Sequence, residues 1–109
     1  MKVMMTDFAR QQVRKTARYI NRKFGKTSKD NFLLKVKQTK LFLETNPCLG
    51  PIEPLMADRV TAYRSVVVSD LNKMVYRVLD NYIEIVDFWD TCREPKKQAE
   101  QTKQQDSNN

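Results

Sequence analysis

The chain has 109 residues, with 20 Lys and Arg against 13 Asp and Glu and a formal net charge of +7. That length suits one small domain with a single core. It contains no His, which excludes from this chain a Ser-His-Asp triad, a paired-imidazole ribonuclease and a His-ligated zinc or haem. Its two cysteines, Cys48 and Cys92, form neither a CxxC nor a disulfide framework, which points to a reducing compartment. No apolar run exceeds three residues, as in Val66-Val67-Val68, whereas a spanning helix needs about 20. The expectation is a soluble, cytoplasmic, basic domain with no membrane partner.

Lys2-Val3-Met4-Met5 reads as a short first strand. Thr6-Asp7 then supplies an N-cap, and Ala9, Val13, Ala17, Ile20 and Phe24 recur at the spacing of one helix stripe, which Gly25 closes. Thr27-x-x-Asp30 reads as a capping-box variant that opens a second helix. The apolar stripe of this helix is Phe32, Leu33, Val36 and Leu43, with Phe42 alongside, and it stops before Asn46-Pro47. The short spacer predicts an antiparallel helix hairpin. Residues 47–58, with three prolines and Gly50, read as an irregular loop.

Beyond the loop the period falls to two, predicting strands over 62–68, 73–79 and 82–89. Residues 69–72 read as a four-residue turn and Asp80-Asn81 as a two-residue turn. The polar stretch over 96–109 reads as at most a frayed helix and then a disordered tail, beyond a single domain over 1–95. The expected fold is α+β: an N-terminal strand, a helix hairpin, then a three-stranded antiparallel meander, with the helices on one sheet face.

Turn lengths imply a register. They set Arg64 opposite Arg77, Val68 opposite Lys73 and Arg77 opposite Glu84. Tyr63, Ser65, Val67, Met74, Tyr76, Val78, Ile83 and Ile85 would then floor the hairpin. Arg64, Lys73, Arg77 and Glu84 would form a cationic platform on the other face. Such a platform is either a set of ordinary surface charges with one ion pair or a phosphate-binding surface, for which guanidinium groups are suited. The helical region adds to the positive field: from Phe8 to Glu44 the chain holds eleven basic and two acidic residues. That favours a polyanion or an acidic protein segment as partner. Trp89 and Phe88 read as core or rim aromatics, Asp87 and Asp90 as surface charges, and no metal or other cofactor is expected.

The element order resembles the RelE/ParE superfamily, the toxins of bacterial type II toxin–antitoxin systems, also labelled plasmid stabilisation proteins. The likeness covers about residues 1 to 95. It rests on Asn46-Pro47 with Gly50, Tyr63-Arg64-Ser65-Val66-Val67-Val68, Lys73-Met74-Val75-Tyr76-Arg77-Val78 and Ile83-Glu84-Ile85-Val86. The resemblance implies a toxin that inhibits translation as a ribosome-dependent, metal-independent endoribonuclease on messenger RNA. The alternative is a ParE-like toxin, not a nuclease, that inhibits DNA gyrase. In the ribonuclease branch the matching catalytic residues are Arg64, Lys73 and Arg93; from the platform itself, Arg77 would bind RNA phosphate with Glu84 orienting its guanidinium. Fixed cations of this kind would stabilise the dianionic transition state formed when a ribose 2′-OH attacks the neighbouring phosphodiester. Val66 stands where that branch has a further basic residue, and its C-terminal Tyr falls near Ala99 here. The implied partners are a cognate antitoxin with an acidic amphipathic segment, and either the ribosome with mRNA or gyrase.

Overall fold

The computed structural model describes residues 1–69, 72–90 and 95–105. Strand β1 (Lys2–Met5) leads into α1 (Asp7–Phe24), whose N-cap is Thr6. The Thr6 hydroxyl oxygen accepts from Ala9 N–H at 3.1 Å, while Thr6 N–H donates to the Ile85 carbonyl at 3.0 Å. One residue thus caps the helix and extends the sheet. Gly25, at φ 94°, alone connects α1 to α2 (Lys26–Thr45). This positive φ is what glycine permits and a side chain resists. It also starts α2 ahead of Thr27, so the expected capping box is not the start of the helix, which has no side-chain cap. α2 stops where Asn46 donates twice to the Phe42 carbonyl, by N–H at 3.0 Å and by Nδ2 at 3.2 Å, just before Pro47.

The fold is α+β. A single sheet has the order β1-β4-β3-β2, where β2 is Tyr63–Ser69, β3 is Asn72–Val78 and β4 is Tyr82–Asp90. The last three strands form the antiparallel meander and β1 lies parallel to β4. Because the chain crosses from β1 to the meander through the helix hairpin, the hairpin covers one sheet face. There Ala9, Val13, Ala17, Phe32, Val36 and Leu43 bury against Met74, Tyr76, Ile83, Ile85 and Phe88. Phe32 meets Phe88 edge to face at 5.6 Å between centroids. Leu33, expected in this core, is exposed, and Thr39 takes an inward position.

The opposite face also has a cover, which the sequence did not announce. A single 3-10 turn (Pro54–Met56) and helix α3 (Pro95–Gln105) pack over Tyr63, Val75, Val86 and Trp89. The stretch expected as at most a frayed helix and a tail therefore contributes a packed helix, seated through Gln98, Ala99 and Thr102, all of them buried.

The register differs from expectation in β2, and the cause is local. Ser69 pairs with Asn72, so both ends of the expected four-residue turn belong to the strands, and Val67 pairs with Lys73, so Val68 is an extra residue that shifts the ladder by one. Every earlier residue of β2 is then turned over: Tyr63 faces Arg77 and Arg64 faces Tyr76. The expected pairing of Arg64 with Arg77 does not occur. In β3 and β4 the expected pairs Val78 with Ile83, Arg77 with Glu84 and Tyr76 with Ile85 are present. A second bulge at Val86 sets Val75 opposite Asp87 instead of Val86.

Candidate functional site

The turned-over strand divides the residues expected to act together. Arg64 shares a face with Tyr76 and so lies on the hairpin side, where its Nη1 donates to the Gly50 carbonyl at 2.9 Å. Beside it the Tyr76 hydroxyl donates to the Pro47 carbonyl at 2.8 Å and accepts from Gly50 N–H at 2.9 Å. Gly50 is fixed by close approach, since a Cβ there would overlap the Ser65 carbonyl oxygen. Arg64 and Tyr76 together pin the Pro47–Gly50 loop to the edge strand. Burial raises the Tyr76 phenol above its ordinary pKa, with the Gly50 hydrogen bond and Arg64 opposing this.

Lys73, Arg77 and Glu84 lie on the other face, with Ser65 and Val75. Each charge already has a partner. Lys73 Nζ is ion-paired with the Glu53 carboxylate and sits 5.0 Å from the Trp89 ring centroid. Glu53 is 1% exposed and also accepts from Ser65 Oγ and from Leu55 N–H, both at 3.2 Å. A buried carboxylate needs this number of donors. Arg77 is bound to Glu84 Oε1 through Nε at 3.0 Å and Nη2 at 2.8 Å, and its guanidinium lies 5.8 Å from the Tyr63 ring centroid. Arg93 lies outside the described residues.

A further polar cluster joins β4 to α3. Asp87, expected at the surface, is buried because the bulge turns it inward beneath α3. Its carboxylate accepts from Phe88 N–H at 2.7 Å, from Trp89 Nε1 at 3.1 Å and from the Thr102 hydroxyl. Gln98 clasps the end of β4, accepting from Asp90 N–H at 2.8 Å and donating to the Asp90 carbonyl at 2.7 Å. At the rim, a hydrogen bond from Lys103 lowers the Asp58 pKa below its ordinary value.

Sequence reasoning missed Glu53, Thr102 and the inward turn of Asp87. Glu53 sits in a proline-rich loop with no period to reveal its direction, and Thr102 lies in a stretch too polar to suggest a buried face. Asp87 follows two apolar residues and precedes two aromatics, a weak signal that its surroundings are dry. Trp89 and Phe88 are buried, as core aromatics should be.

Chemically, this arrangement is saturated. Lys73 and Arg77, on the sheet face beneath α3 and the 3-10 turn, neutralise carboxylates of the same molecule, and Arg64 serves a loop on the other side. Among the described residues no group of three or more His, Cys, Asp or Glu could hold a metal ion. No helix of the described residues is long and apolar enough to cross a membrane. No protein-family description and no curated protein sequence matches the chain.

Proposed function

We propose that this chain is a RelE/ParE-type toxin of the kind that acts by binding and does not cleave RNA, with DNA gyrase as its target. The reading draws on the sequence resemblance and on the α+β order of strand, hairpin and meander. One observation carries the choice of branch: Arg64 and Lys73 lie on opposite faces of the sheet, each bound to a group of the same chain. Cleavage by 2′-OH attack needs several free cations aimed at one phosphate, and this pair does not supply them. The cognate antitoxin is read as an acidic amphipathic segment. Leu34 and Leu41, two turns apart and both exposed on α2, with Lys37 beside them, offer it apolar and cationic contacts.

Induction in a bacterial host tests the reading, with primer extension on a translated messenger and a supercoiling assay with purified gyrase. The expected result is growth arrest, loss of supercoiling activity and an intact messenger. Discrete messenger cuts that vanish in a folded Arg64→Ala variant would overturn it and favour the ribonuclease branch. Unimpaired growth would remove the toxin reading altogether.

A further inference from the structure

Helix α1 carries its arginines in a line. Arg10, Arg14, Arg18 and Arg22 recur every four residues, all exposed, along a line about 100° around the helix from buried Ala9, Val13 and Ala17. At about 1.5 Å of rise per residue the stripe is about 18 Å long, with one guanidinium about every 6 Å. Asp7, the one acid on the helix, pairs with Arg10 at 3.3 Å. Arg14, Arg18 and Arg22 have no ion pair among the described residues. Like charges four residues apart destabilise a helix, so the stripe does not serve the stability of α1. Helix α2 is built otherwise: Lys26, Lys29, Lys37 and Lys40 share one side, but Lys26 and Lys29 pair with Asp30, Glu44 adds a second acid, and Leu34 and Leu41 lie exposed beside Lys37.

We infer that the arginine stripe of α1 lies along the phosphate backbone of a DNA duplex. Guanidinium groups suit phosphate oxygens by geometry as well as charge. A rod about 18 Å long runs past about five phosphates of one strand at about 3.4 Å of rise each. The stripe contains no apolar side chain, whereas an acidic amphipathic peptide needs an apolar seam. Of the exposed aromatics of α1, Phe24 lies about 160° around the helix from Arg22, and Tyr19 is shared with Lys23, whose Nζ lies 5.6 Å from its ring centroid, so the stripe offers no open platform for stacking single-stranded RNA. The grooves point the same way, since B-form DNA admits a helix in its major groove and A-form RNA does not. Phosphate contacts of this type position the protein without reading sequence. The inference uses α1 alone and stands apart from the toxin reading.

The test compares two triple variants with equal charge loss. One is Arg14→Gln, Arg18→Gln and Arg22→Gln; the other is Lys35→Gln, Lys37→Gln and Lys40→Gln on α2. Both change surface side chains, and a thermal melt verifies each fold. Fluorescence anisotropy with a short labelled DNA duplex is read over a salt series. The α1 variant is expected to bind at least about 10-fold more weakly, with the salt slope reduced by about 2.7, and the α2 variant to stay within about 2-fold of the parent. Equal losses from the two variants would mean that only the overall charge attracts DNA, and would overturn the proposal. So would tighter binding of the parent protein to a single-stranded RNA or to a polyglutamate peptide than to the duplex.

Discussion

The two faces of the sheet are held by different physics. Under the hairpin the contacts are mainly apolar and spaced by the helix and strand periods, with directional bonds confined to the Pro47–Gly50 loop held by Tyr76 and Arg64. Under α3 and the 3-10 turn, apolar side chains share the space with Glu53, Asp87, Lys73, Thr102 and Gln98. A buried polar group there is favourable only while its partner is in place. The hairpin side should therefore tolerate change in proportion to volume lost, and the α3 side should respond to the loss of single atoms.

The largest effect expected is on the polar side. Lys73→Met would leave Glu53 buried without its cation and lower unfolding stability by about 3–5 kcal/mol, read by urea denaturation. A loss as small as that of a surface substitution would mean that Glu53 is open to water. Leu43→Ala, on the apolar side, should lose about 2–5 kcal/mol in the same assay, in line with the volume removed. Thr102→Val keeps shape but takes a donor from Asp87, for an expected loss of about 1–3 kcal/mol. Its melting transition should stay single if α3 is an integral part of the fold.

Arg77→Gln should lose about 1–3 kcal/mol, because Arg77 and Glu84 have side chains only 12% and 20% exposed and the change leaves Glu84 half-buried without its cation. The last effect is confined to alkaline pH. The folded-state pKa of Tyr76 lies above 10.0, so its contribution is complete below that pH and is lost as pH rises through the folded value. The ionised phenol could no longer donate to Pro47. Tyr76→Phe should remove this alkaline component, followed by phenolate absorbance and by stability measured across pH.

The contrast also explains what could be read in advance. Ala9, Val13 and Ala17 announce α1 by period, Thr6 and Gly25 mark its ends, and the alternation after residue 62 announces the meander. Those signals are local and apolar. The placement of Arg64 depended on a bulge at Val68, within a run of three valines that looks alike in either register. A shift of one residue there moved Arg64 from the expected cationic face to the loop side. Helix α3 was illegible for a related reason, since its seat is made of Gln98 and Thr102 and only one small apolar residue, Ala99. Of the candidate site, the pairing of Arg77 with Glu84 was readable from the two-residue turn. The partners of Lys73 and Arg64 were not, because Glu53 and Gly50 come from a loop without period.

Cross-strand proton contacts between β2 and β3, measured by nuclear Overhauser effects, address the division of the cations most directly. The account requires Tyr63 to neighbour Arg77 and Arg64 to neighbour Tyr76. Contacts joining Arg64 to Arg77 would restore a shared cationic surface and contradict it.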